Sequence, residues 1–496
     1  MLKSKKPTQS EIDGVQYRRA KLWQIILWAC NALGGMAVYS LIGMASYSAS
    51  IGYGISTAIV GVILTGTRIL DAVTDPLLAF VYDKVNTRWG KIRILMVSGF
   101  LVEALALFAM FHLLSSKGFG LITFTLLYIV YILGYTVINM TIQTVPALMS
   151  NDPKQRPVIG VWQTVINYLV PVALSIGLNV ILLPLCGGTY NQTFLSAAVK
   201  ICLGLGLVGL IFACIGVSAF DKPENFRGIS KKHEPLKLRD MADVLMHNRP
   251  LQSYIISAAS DKIAQQVASQ SIIVTMLNGI LIGNMGLATI LSTIGMLPSI
   301  VFAIIGAKYA GKHGSKKTIV TWTGICTIFA VIMIIFLTAI NPAEIAVMGP
   351  VMIIYVLLTF ALNGSKMCVT TANSAFMADI IDFELDRSGK YIPAVVTGTY
   401  SLLDKLISSF GALIATSAVA MLGYTSTMPQ PGDARTPAIF WMTIFLCFVL
   451  PILGWLCTLI AMRFCKLDKA EMVNVQKRIA EKKTALQKEF FEKNLQ

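Results

Sequence analysis

Charge is scarce in this chain. Only 13% of its 496 residues are Asp, Glu, Lys or Arg, while 55% are hydrophobic; soluble domains average about 25% charged. A water-soluble enzyme of this length would lack the polar residues to cover its surface, and disordered or collagen-like chains are excluded by the same composition. Histidine is rare as well, with four residues. No metal-ligand cluster, catalytic triad or glycine-rich phosphate-binding loop occurs in the sequence. The expectation is therefore a protein that is not an enzyme, has no cofactor and does not itself hydrolyse ATP. The nine cysteines are scattered, with no closely spaced pair, and read as small buried hydrophobes. Residues 1–21 are polar and basic and lack the short apolar core of a cleaved signal peptide.

Long apolar runs are abundant. Runs of about 20–30 apolar residues are long enough to span a hydrocarbon core of about 30 Å. Twelve candidate spans emerge, at 22–48, 55–82, 91–114, 119–149, 159–186, 194–219, 251–280, 285–308, 317–340, 346–378, 393–423 and 437–464. The formal charge is nevertheless +16. Its distribution explains it: 34 of the 41 Lys and Arg lie in the tails and alternate loops on one side, and only Lys117 and Arg435 lie on the other. The positive-inside rule then places both termini and the long central loop in the cytoplasm of a multi-pass protein of the cell membrane. The excess charge is an orientation signal, so nucleic acid is not an expected partner; the lipid bilayer is. The sequence does not fix the oligomeric state, and a monomer would suffice.

The loop at 220–250 divides six spans from six. An N-tail (1–21), a first bundle (22–219), a second bundle (251–464) and a C-tail (465–496) follow. The basic loop Arg88-Trp89-Gly90-Lys91 after span two is echoed by Lys312-His313-Gly314 after span eight, an offset of 224 residues between the glycines. The expected fold is all-α: twelve transmembrane helices in two six-helix pseudo-repeat bundles, the major facilitator fold. The tail after Cys465 is helix-prone and charged, and reads as a solvated or surface-lying helix.

Ionisable side chains inside a membrane are costly and usually line a cavity. Span two contains Arg68-Ile69-Leu70-Asp71-Ala72-Val73-Thr74-Asp75-Pro76. Asp71 and Asp75 stand four residues apart, on one helical face, with Arg68 one turn earlier. Two converging carboxylates can hold Na⁺ or share a proton; a plain Arg–Asp tie between helices is the alternative. The second half supplies Asp261-Lys262, Lys366 and Asp404-Lys405. Adjacent helical residues diverge by about 100°, so cross-helix pairs are expected, such as Asp261 with Lys366 or Lys405. Such charges can serve as gates or can bind a carboxylated substrate at Lys366 or Lys405. Asp83, Arg88 and Lys91 read as conformational latches or as topology charges. Asn31, Tyr135, Asn139, Gln143, Gln163 and Asn167 offer neutral groups suited to polyhydroxyl ligands, or to ordinary interhelical bonding.

The run at 68–76 followed by Arg88-Trp89-Gly90-Lys91 resembles the glycoside–pentoside–hexuronide:cation symporters. The likeness continues at Tyr135-Thr136, at Ala378-Asp379-Ile380-Ile381-Asp382-Phe383-Glu384 and at Lys405, and covers roughly 20–465. It implies secondary active symport of a sugar, glycoside or hexuronide with Na⁺ or H⁺ by alternating access. It also implies cation binding at Asp71 and Asp75, with Thr74 and Thr136 beside them, an arginine neighbour in Arg68, and a lysine close to cation and sugar in Lys405. The galactoside-binding half of the pattern is replaced: Met36, Asn139, Gln143 and Gln163 stand where the family has an acid, an acid, a tryptophan and an arginine. The expected substrate is therefore not of the melibiose type. A non-sugar solute or a lipid on the same fold, or a transport-inactive membrane sensor, are the competing readings.

Overall fold

The computed structural model describes residues 19–84, 90–150, 155–222, 238–295, 298–389, 393–479 and 481. The side chains of 71–84 and of Gln143 are outside the description. Among the described residues the secondary structure is helical, with no strand. In hydrocarbon every backbone N–H and C=O must be satisfied within the segment, and helices do this for long apolar runs.

The helices are α1 (Leu22–Ile42), α2 (Thr57–Lys84), α3 (Ile92–Leu113), α4 (Leu121–Met149), α5 (Arg156–Ser175), α6 (Gln192–Val217), α7 (Leu238–His247), α8 (Arg249–Ala268), α9 (Ser271–Leu281), α10 (Met285–Ile294), α11 (Ser299–His313), α12 (Ser315–Ala339), α13 (Pro350–Ser388), α14 (Val395–Met421), α15 (Pro437–Phe464) and α16 (469–479). Several starts are set by capping side chains. Asn191, Asn248, Asn284 and Thr436 accept from the backbone N–H groups of Phe194, Leu251, Leu287 and Ile439, which satisfies one orphan donor at each helix start.

Among the described residues nine helices are long and apolar enough to cross a membrane, or ten if α9 and α10 form one bent span. Length and apolarity alone therefore do not reach the twelve expected spans. The three that fall short are the second, seventh and eighth. On α2 the apolar stretch is Thr57–Leu70, ending where the charged motif begins. The seventh is built from α8, rich in Ser, Gln, Asp and Lys, followed by α9. The eighth is α10 and α11, and α9 meets α10 at a bend of 113°. Gly283 sits in that bend with φ +75°, a conformation that side-chain-bearing residues rarely adopt.

The chain forms two compact units: Met1–Ile55 with Val73–Lys231, and Ser56–Ala72 with Lys232–Gln496. In unit 1, α1, α3, α4, α5 and α6 share a core that includes Trp28, Met96, Leu148, Ile159 and Val217. A side chain on Gly209 or Gly216 of α6 would strike the α1 backbone at Cys30 or Trp28, so small residues let these two helices approach closely. In unit 2 the first half of α2 packs on α14. The Thr57 N–H donates to the Thr425 carbonyl (3.1 Å), and Thr65 Oγ1 donates to that of Ser409 (3.0 Å).

The tail helix differs from expectation: α16 is docked on its own unit. Leu467, Val475 and Ile479 are buried in a cluster with Leu251, Ile319 and Phe376. Polar contacts hold its flanks, with Gln476 donating to Asp382 (2.7 Å), Arg478 to Asp386 (2.7 Å) and Lys469 to the Lys312 carbonyl (2.8 Å). The apolar residues of the tail thus meet an apolar surface within the chain. Beside it, Arg387 at the end of α13 bridges Glu384 (2.7 Å) and Asp243 of α7 (3.2 Å). The hydrogen bond from Arg387 holds the Asp243 carboxyl below the usual carboxylate range.

Candidate functional site: polar networks within the membrane helices

The sequence-selected residues fall into three groups. The first is on α2. The helix runs unbroken from Thr57 to Lys84, so Arg68, Asp71, Thr74, Asp75 and Asp83 share one helix at the spacing read from the sequence. The Arg68 side chain is exposed. The side chains of Asp71, Thr74, Asp75 and Asp83, and all of Arg88, lie outside the described residues.

The second group is in unit 1. Asn31 of α1 and Gln163 of α5 form a reciprocal amide pair: each side-chain NH₂ donates to the other's carbonyl at 3.0 Å, and Asn31 also donates to the Trp28 carbonyl (2.6 Å). Interhelical hydrogen bonds in membranes average about 0.6 kcal/mol, so such a pair can be exchanged for ligand hydroxyls at little cost. Along α4 the rings of Phe124, Tyr128, Tyr131 and Tyr135 follow one another with centroids 6.0, 5.4 and 6.0 Å apart. This ladder ends at the exposed Tyr135, one turn before the half-buried Asn139; Thr136 is buried and Asn167 half-buried. Gln143 continues the α4 face, with its side chain outside the description. Glu103 of α3 is buried, and among the described residues its Oε1 has no hydrogen-bond partner; it lies where Gly134 of α4 approaches closely.

Unit 1 also reveals a residue that the sequence reading missed. Asp221, after α6, is buried and accepts the first backbone N–H groups of α3: Lys91 (2.8 Å), Ile92 (3.0 Å) and Arg93 (2.9 Å). Arg93 Nε adds a charged bond at 3.2 Å. Gly90 has φ +97°, and a Cβ there would fall 2.1 Å from Asp221 Oδ2. The glycine of the basic loop is therefore required twice, by its backbone conformation and by the carboxylate pressed against it. Lys91, expected as a latch, takes part through its backbone N–H.

The third group is in unit 2. Asp261 of α8 receives a hydrogen bond from Trp455 Nε1 of α15 (3.0 Å) and one from Gln265 Nε2 (2.7 Å). The Lys366 ammonium of α13 lies over the Trp455 ring, 5.7 Å from its centroid, a cation–π arrangement. Lys366 exerts the strongest attraction on Asp261, and Lys262 a weaker one. Lys262 also attracts Asp404 of α14, to which Tyr400 donates at 3.4 Å. The Tyr254 ring of α8 lies 5.0 Å from that of Tyr400. Lys405 is half-buried on α14. Trp455 and Gln265 were not singled out in the sequence. A lone tryptophan in an apolar span reads as packing, and only the fold brings its N–H to a carboxylate.

This network yields one prediction. Replacing Asp261 by Ala strips Lys366 of its main counter-charge. Both side chains are half-buried and attract each other without direct ion-pair contact, so the loss stays below the roughly 3–5 kcal/mol of a fully buried pair and the thermal unfolding midpoint in detergent should fall moderately. The double replacement with Lys366→Leu should recover much of that loss, because no charge is then stranded.

The arrangement consists of paired charges, amides and aromatic faces inside membrane helices. Residues 35–469 match the family described as MFS/sugar transport protein. The chain belongs to this family, which is one of transporters and not of enzymes. It is 24% identical over 442 residues to the putative glycoside/cation symporter YagG of Escherichia coli (strain K12), covering 87% of this chain and 89% of that protein. It is also 24% identical to the isoprimeverose transporter of Lactiplantibacillus pentosus, over 84% of this chain and 83% of that protein. Among solved structures, the nucleoside transporter NupG shares the fold, with a TM-score of 0.58 at 15% identity over 90% of this chain and 99% of that one.

Proposed function

We propose that the chain is a cation-coupled symporter of the cell membrane, with both termini cytoplasmic, that moves a sugar, glycoside or hexuronide together with Na⁺ or H⁺ by alternating access. The observation that carries this reading is the unbroken α2 helix. It holds Asp71 and Asp75 one turn apart with Arg68 a turn before them, in a protein whose spans carry few charges. Cation binding there, with Thr74 and Thr136 as neutral oxygen donors, lowers the cost of two like charges in a low-dielectric site. The names of the glycoside/cation symporter and the isoprimeverose transporter that the chain resembles support the same reading.

The substrate groups in this account are neutral: Asn31, Tyr135, Asn139, Gln143, Gln163 and Asn167. Amides and an aromatic face bind a polyhydroxyl ring through hydrogen bonds and stacking. Lys366 and Lys405 add the positive charge that a hexuronide carboxylate would require, while Asp261 and Asp404 balance the lysines, Lys262 included, between turnovers. Arg68, Asp83, Arg88 and Lys91 act in the conformational cycle. The test is uptake into proteoliposomes of a panel of pentosides, glycosides and hexuronides under imposed Na⁺ or H⁺ gradients. Accumulation of one class under one gradient is expected; equilibration unaffected by either gradient would exclude symport, and no uptake of any solute would favour a sensor.

A further inference from the structure

We propose that unit 2 carries a phospholipid seat on the flank formed by α12, α14 and α15, with one acyl chain lying in an apolar groove and the lipid phosphate bound by Arg435. The groove has a volume of about 990 Å³ and lies where these three helices run toward the end opposite the basic loops. That is at the upper end of the roughly 300–1,000 Å³ of small-molecule sites. Ile444 and Leu446 form a fully buried floor, and Trp441 and Met421 stand at the rim, 58% and 81% exposed. Apart from the Ser417 hydroxyl and the Trp441 indole, the lining is aliphatic or phenyl.

The occupant follows from the surroundings. The outer faces of α12 and α15 present Ile328, Ile335, Leu453 and Ile460 outward, side chains that belong against hydrocarbon. A groove that opens on this flank and offers almost no hydrogen-bonding group does not hold water; an acyl chain fills it. Trp441 at the rim matches the preference of tryptophan for the headgroup boundary. Charge complementarity supplies the head. Arg435 is one of only two basic residues assigned to that end of the protein, and it is exposed. It stands three residues before Ala438, which lines the groove. Its Nη1 donates to Asn341 Oδ1 at 2.6 Å, just past the end of α12, which ties the segment before α15 to the end of α12. That bond uses one of five N–H donors, and the fork that remains suits a phosphate.

The test uses the full chain in detergent, examined by native mass spectrometry with dioleoyl phosphatidylglycerol, and with dioleoylglycerol as the analogue lacking phosphate. One phosphatidylglycerol should bind the unaltered protein about tenfold more tightly than it binds Ala438→Trp, which fills the groove from an exposed position. Arg435→Gln should weaken it about threefold, to the level at which dioleoylglycerol binds the unaltered protein. Helix content and unfolding midpoint establish that each variant is folded. Equal lipid retention by all forms would overturn the proposal, leaving general annular lipid only. A change in copy number on Ala438→Trp would also overturn it, making the groove a contact between copies.

Discussion

Asp75→Asn is expected to abolish gradient-driven accumulation while leaving the protein folded and in the membrane. The helix that carries Asp75 continues to Lys84, so a side chain of the same shape leaves the backbone intact and removes only the charge. If Asp71 and Asp75 together bind the coupling cation, one carboxylate alone holds it too weakly to bias the cycle. Accumulation should fall to equilibration, while exchange of labelled for unlabelled substrate, which needs no net cation movement, should persist. The measurement is initial uptake under an imposed cation gradient set beside exchange at equal substrate on both sides. Unchanged accumulation would remove Asp75 from the cation site. Loss of both activities together with the substrate-binding signal would indicate a structural role instead.

Asp221→Ala is expected to produce the largest loss of stability of any single replacement in unit 1. Three backbone N–H groups at the start of α3 and the Arg93 side chain converge on this one carboxylate. Removing it strands buried donors and a partly buried cation, at a cost of about 3–5 kcal/mol. Asp221→Asn should lie in between, because one side-chain oxygen can still accept while the NH₂ faces donors. Gly90→Ala should approach the alanine variant by the opposite route, forcing the carboxylate away from the helix start. Unfolding midpoints in detergent test the ranking, and faster tryptic cleavage at Lys91 and Arg93 should accompany it. Equal stability of Asp221→Ala and the unaltered protein would show that the cap is replaceable.

The sequence conveyed the fold where a rule acts locally. Apolar runs predict helices because hydrocarbon leaves the backbone no other partner, and among the described residues nine of the expected spans are recovered by length and apolarity alone. Spans two, seven and eight are weaker for the reason that makes them interesting. Polar residues such as Arg68, Asp261 and Gln265 lower their apolarity, and Gly283 turns α9 away from α10. Residue types were legible in the same way, since charges and amides inside spans mark themselves. Their partners were not. Asp221 meets Lys91 across 130 residues, Asn31 meets Gln163 across 132, and Trp455 meets Asp261 across 194. No spacing rule links such positions, and only packing brings them together. The docked tail illustrates the same limit: the apolar residues of α16 were visible, but the surface that receives Val475 and Ile479 is built from α8, α12 and α13.

Cation-coupled symport requires linkage between the binding of cation and of sugar. It is tested most directly by measuring the affinity of the purified chain for its transported sugar with and without the coupling cation, in the unaltered protein and in Asp71→Asn and Asp75→Asn. Coupling free energies of about 1–3 kcal/mol correspond to about 5–150-fold in affinity. A cation-dependent gain within that range is expected for the unaltered chain and none for either variant, with the sugar raising cation affinity by the same factor. Equal sugar affinity with and without Na⁺, and at acidic and alkaline pH, would contradict it.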